Sequence, residues 1–127
     1  MVADAIEHRR QRGDWLVHEY VIMPTHVHLF CEIGSRGMKA VMEDFKRWTG
    51  HRAAELLQVG PARQAGPDFD IRSRPAGGTY RFWQREWFDH WSRSDEEDER
   101  IMLYIRNNPV KAGLVRDYHD WPYGSWR

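Results

Sequence analysis

The sequence predicts an α+β fold, an antiparallel sheet with helices on one face, and three observations carry that reading. Two β-rich runs, at residues 15–22 and 26–33, are joined by a proline corner. Apolar residues then recur at helical spacing over residues 38–57. A capping box at Ser94 opens a further helix. With 127 residues, 41% of them hydrophobic and seven of them Trp, the chain fits one domain, 1–127, with enough large apolar side chains for a core.

Each element has a local cause. Residues 4–12 suit a polar helix that Gly13-Asp14 breaks. The β-branched and aromatic content of residues 15–22 favours a strand, and Pro24, which has no N–H to give a ladder, places the hairpin corner at Met23-Pro24-Thr25. On the return strand the period of two sends Val27, Leu29, Cys31 and Ile33 to one face, which suits packing on helices. His26, His28, Phe30 and Glu32 go to the other. Residues 34–37 form a loop, and Val41, Phe45, Trp48 and Leu56 mark the apolar stripe of the helix over 38–57. Four Gly and three Pro give residues 58–79 the composition of a mobile loop. The aromatic run 80–88 is strand-like and can extend the sheet.

Ser94 and Glu97 form the capping box, with Asp95 and Glu96 at the positive end of the helix dipole. That helix carries Ile101, Tyr104 and Ile105. It is expected to stop near Asn108, because proline disfavours helical geometry in the residue before it. Pro109 then suits the first turn of a short second helix that Gly113 ends.

Composition excludes several classes. The single cysteine, Cys31, cannot form an internal disulfide, and neither a signal peptide nor an apolar run of about 18 residues is present. A cytoplasmic protein without membrane contact is the expectation. Nineteen basic residues balance nineteen acidic ones, so charge alone does not suggest a nucleic-acid partner. The distribution is uneven: Arg63, Arg72, Arg74, Arg81 and Arg85 outnumber Asp68, Asp70 and Glu86 over residues 61–87.

The chemistry lies in His26 and His28. Alternate residues of a strand put two imidazoles side by side, near enough to share a divalent ion, although such pairs are more often plain surface or core residues. Asn108, four residues after Tyr104 and on the same helical face, offers a carbonyl oxygen as a third ligand. It serves equally well as the N-cap of a following helix. Tyr104 reads either as a core aromatic or as a nucleophile; a phenol with a pKa near ~10 needs a metal to polarise the phosphate it attacks.

Three segments, YVIMPTHVHLF at 20–30, FWQREWFDH at 82–90 and YIRNNPVKAGLV at 104–115, resemble the signature blocks of HUH-type single-tyrosine transposases. They are most similar to the REP-associated tyrosine transposases, from about residue 15 to the end of the chain. The resemblance implies a ferredoxin-like HUH endonuclease fold, with His26 and His28 as metal ligands, Tyr104 as nucleophile and Asn108 as the third ligand. It implies Mg2+ (or Mn2+) as the metal, a 5′-phosphotyrosine intermediate, and single-stranded DNA beside hairpins as substrate. Trp83, Arg85, His90 and Arg93 fall in a matching block without an assigned role.

The family fold opens with a strand ahead of its first helix. Here the reading begins at the helix, so the sheet is expected to lack its first strand. An open sheet edge favours association, which suggests a homodimer. Two rivals remain. A zinc hydrolase also uses His-x-His on a strand but needs a larger domain and more ligands. A domesticated hairpin-DNA-binding protein would keep the fold without cutting.

Overall fold

The computed structural model describes residues 1–57, 82–84, 87 and 89–127. The loop expected over 58–79, the arginines within it, Arg81 and Arg85, and most of the strand expected over 80–88 lie outside these residues. The described elements are α1 (Val2–Gln11), β1 (Trp15–Ile22), β2 (Val27–Ile33), α2 (Met38–Leu57), α3 (Asp95–Lys111) and a 3-10 turn at Tyr118–Asp120. The fold is α+β, with a two-stranded antiparallel sheet. Contacts divide the chain into two compact units, Met1–Arg9 with Ser35–Asp89, and Arg10–Gly34 with His90–Arg127.

In the first unit α2 spans the residues its period predicts, but the buried stripe is displaced. Val41 and Phe45 are buried as expected, whereas Trp48 and Leu56 are exposed and Thr49, Ala53 and Ala54 take the inner positions. Small side chains here permit close packing, and Thr49 loses no hydrogen bonding by burial. Its hydroxyl donates to the Phe45 carbonyl at 2.7 Å and accepts from the Trp83 indole at 2.6 Å. The buried Arg9 of α1 donates from Nε and Nη2 to Asp44 Oδ2, at 3.1 and 2.8 Å, and lies against the Phe45 ring.

The second unit holds the hairpin, α3 and the C-terminal tail. Met23 N–H donates to the His26 carbonyl at 2.8 Å and closes the corner at Pro24-Thr25. Register pairs Val21 with His28 and Glu19 with Phe30, so these four share a face. Below them Val17 pairs with Cys31, and the intervening His18 is a bulge residue. Without that extra residue, Glu19 would share the face of Val17; the bulge turns it onto the face that carries His28.

That histidine face is where α3 packs. Val21, Met23 and Ile105 are buried together, with Phe30, Ile101, Trp121 and Trp126 against them. Helix α3 thus lies over the histidine face, and its large side chains with those of β1 build a core there. Glu19 is buried within this face, and Arg106 reaches it from α3 through Nε and Nη2, at 3.1 and 3.0 Å from Oε2. The bond raises the Arg106 guanidinium above its already high value. Ser125 donates its hydroxyl to the other carboxylate oxygen at 2.5 Å.

The expected stop before Pro109 does not occur. α3 runs unbroken from Asp95 to Lys111 with Pro109 inside it. Pro109 is fully buried, and burial of its ring offsets the helical strain it places on Asn108. The helix ends two residues later in a Schellman arrangement. Leu114 N–H donates to the Pro109 carbonyl and Gly113 N–H to that of Val110, with Gly113 at φ 77°.

At the other end Ser94 Oγ accepts from Glu97 N–H at 3.1 Å, as the capping box predicts. The Glu97 carboxylate returns one residue earlier than the usual motif, to Arg93 N–H at 2.9 Å. His90 also binds it, and these two bonds hold the Glu97 carboxyl below the usual range. His90 and Arg93 thus help fix the start of α3.

The outer edge of β1 is occupied by the tail. Ile22 N–H donates to the Tyr123 carbonyl at 2.8 Å, Ser125 N–H donates to the Tyr20 carbonyl at 3.0 Å, and Val21 pairs with Gly124. A Cβ on Gly124 would stand 2.2 Å from the Trp126 ring, so glycine is what lets the indole fold back.

Replacing Arg106 with Leu should cost on the order of 3 kcal/mol, because Glu19 keeps its charge in a buried site with its main partner gone. Ser94→Ala should cost only about 1 kcal/mol. Urea denaturation of both variants checks the order; equal losses would show that the Glu19–Arg106 pair does not hold α3 on the hairpin.

Candidate functional site

His26, His28 and Tyr104 come together at the proline-corner end of the hairpin. His26 just precedes β2 and is exposed, and His28 is half-buried on the strand. Their rings meet edge to face, with centroids 4.8 Å apart. The Tyr104 ring meets His28 in the same manner at 5.4 Å. Residues 76 positions apart in sequence thus touch, because α3 lies across the strand face that bears the histidines.

Tyr104 has no place in the core. It is 53% exposed, while Ile105 beside it is 3% exposed. The accessible Tyr104 ring stands at the edge of the histidine pair. Asn108 is half-buried one turn further along α3. Since the helix continues through Pro109, Asn108 caps nothing, and its backbone carbonyl accepts from Ala112 N–H at 2.9 Å inside the regular ladder. Its side chain, four residues after Tyr104, lies on the same side of the helix.

The environment favours the neutral form of His28. Burial lowers its pKa below the ordinary 6.5, and the neighbouring His26 lowers it further. A neutral imidazole is the form that ligates a metal. Thr25 Oγ1 and His26 Nδ1 are hydrogen-bonded at 3.0 Å, which orients that ring and leaves Nε2 for another partner. Among the described residues no third His, Cys, Asp or Glu joins the pair. The site brings together two imidazoles and the Tyr104 ring, with Asn108 one turn further along α3. It fits a divalent ion that keeps open positions for water and phosphate oxygens.

Cys31 is not a competing nucleophile. Its thiol is pushed up to about 11 by burial, so it carries almost no thiolate at neutral pH. Sequence reasoning missed the Glu19–Arg106–Ser125 network and the docking of the tail on β1. The available signal was a carboxylate, Glu19, in the midst of an otherwise strand-forming run; the bulge that aims it inward has no sequence mark.

No family model matches the chain. A Haemophilus influenzae protein described provisionally as a REP-associated tyrosine transposase is 29% identical over 108 residues, which cover 83% of this chain and 55% of the relative. The REP-associated tyrosine transposase of Escherichia coli is 33% identical over 51 residues, 40% of this chain and 31% of that protein. A solved structure of a REP-associated tyrosine transposase bound to a REP hairpin superimposes with a TM-score of 0.67 at 18% identity. The match covers 98% of this chain and 62% of that one. The chain is thus similar to REP-associated tyrosine transposases in sequence and in fold. It spans about half the length of the curated Haemophilus relative, and no helix among its described residues is long and apolar enough to cross a membrane. The likeness in structure shows that the fold is the one these transposases use.

An NMR titration of the histidine rings should place the His28 midpoint below 6.5. His26→Gln should raise it only partly, because burial is the larger cause and stays. The unfolded chain takes up the proton first, so stability should be greatest above pH 6.5 and decline as pH falls towards the His28 midpoint. A His28 midpoint at or above 6.5 would contradict the buried, neutral site.

Proposed function

We propose that this chain is a metal-dependent enzyme that cuts and rejoins single-stranded DNA next to a hairpin, as its relationship to the REP-associated tyrosine transposases suggests. The observation that carries the reading is the contact of an exposed tyrosine on α3 with the second histidine of a strand-borne pair. In this reading His26 and His28 hold Mg2+ (or Mn2+), and Asn108 supplies the third protein ligand. Once bound, the ion would polarise the scissile phosphate and offset its charge.

The chain's own residues do the rest. Tyr104 Oη attacks phosphorus as its proton leaves to water, and the bond from phosphorus to the 3′ oxygen breaks. The DNA end carrying the 5′ phosphate is then held on tyrosine, and the departing 3′ oxygen takes up a proton. Attack of a 3′-hydroxyl on that linkage forms the new phosphodiester and returns the phenol. The reaction is near balance because one phosphodiester replaces another, which suits strand transfer without a further energy source. Helix α3 fixes the phenol against His28, so little reorganisation is needed before attack.

With a labelled hairpin oligonucleotide and magnesium, the wild type should give a denaturation-resistant adduct carrying the strand downstream of the cut. Tyr104→Phe should give none while binding the same oligonucleotide. Manganese calorimetry should show one site that the double variant His26→Ala, His28→Ala loses. Cleavage by Tyr104→Phe at the wild-type rate would make water or another residue the nucleophile. Hairpin binding without an adduct in the wild type would instead favour a binding module that has kept the fold.

A further inference from the structure

We infer that the Trp121–Tyr123 pair is a stacking platform for an unpaired nucleobase of the single strand that leads to the site. The inference rests on the DNA-cutting reading above and adds where the flanking strand lies. Tyr123 is 56% exposed, yet it is held rather than loose. Its ring meets the Trp121 ring edge to face at 5.4 Å, and Pro122 stiffens the link between them. The Tyr123 carbonyl accepts from Ile22 N–H at 2.8 Å, and the Trp121 indole donates to the Ile22 carbonyl at 3.1 Å. Both backbone groups of one β1 residue therefore anchor the pair.

The position matters as much as the rigidity. Ile22 pairs across the hairpin with Val27, the residue between His26 and His28. The Tyr123 backbone thus lies two strand spacings from the histidine pair, about 10 Å. That distance corresponds to roughly three stacked nucleotides. A base stacked on Tyr123 and a phosphate beside Tyr104 can belong to one continuous strand. Aromatic faces suit this task because every base has a π face, so a strand of any sequence can be held. The neutral balance of charge over the chain agrees with holding by stacking rather than by phosphate contacts alone. Of the other exposed apolar groups of this unit, Leu103 and Leu114 present no ring, Tyr104 already belongs to the site, and Trp91 precedes the N-cap of α3 rather than lying on the edge of β1.

The test uses a DNA hairpin with a single-stranded flank, 2-aminopurine being placed in turn along the flank, with no metal added. Wild type and Tyr123→Phe should quench the fluorophore at one flank position and bind alike. Tyr123→Ala should lose that quenching and bind roughly tenfold more weakly, while a blunt hairpin binds equally to all three. Near-UV circular dichroism, dominated here by the indoles, verifies that the tail remains docked in each variant. Unchanged quenching and affinity in Tyr123→Ala, with the tail docked, would overturn the platform. Adduct formation at Tyr104 is scored separately: an adduct with no Tyr123 effect would overturn the platform and keep the enzyme. Absence of any DNA binding by the wild type would overturn both.

Discussion

The second unit depends on one buried contact, the Glu19–Arg106 ion pair. A carboxylate taken out of water is costly unless it is paired and hydrogen-bonded, and Glu19 meets that requirement with two groups from two other segments. Arg106 bonds to one oxygen and Ser125 to the other. The first bond fixes how α3 lies on the hairpin; the second brings in the tail. Because a helix turns by about 100° per residue, pinning Arg106 together with the buried Ile105 also sets the direction of Tyr104. The phenol faces His28 as a result of contacts it does not itself make.

Continuity of α3 through Pro109 is the second constraint. Had the helix ended at Asn108, that residue would have turned its side chain to a cap, and its relation to Tyr104 would have been lost. Inside one rigid helix the two stand four residues apart, about 6 Å along the axis. The cost of a proline in the helix interior is met by full burial of its ring and by the Schellman closure at Gly113. Shape, not local propensity, decides the path of the chain here.

The tail covers the edge of β1. An open edge invites pairing with another chain, and here Tyr123 to Ser125 take the edge of β1 at the end where the histidines lie. The same segment lends Trp121 and Trp126 to the core around Val21 and Ile105. One short stretch therefore covers an edge, completes a core and satisfies Glu19.

Much of this was legible in the residues. The hairpin, its proline corner, the extent of α2, the Ser94 cap and the pairing of His26 with His28 all follow from local rules, since period and turn chemistry act over a few residues. The motif resemblance pointed to the same proteins to which the chain proves similar in sequence and in fold. Three things were decided only by tertiary structure. The His18 bulge reversed the face of Glu19, burial carried α3 past Pro109, and the tail closed the sheet edge. Each depends on contacts between residues tens of positions apart, Glu19 with Arg106 and Ser125, Val21 with Gly124. No local window contains both partners, so the sequence named the catalytic candidates while only packing across the fold could bring Tyr104 against His28.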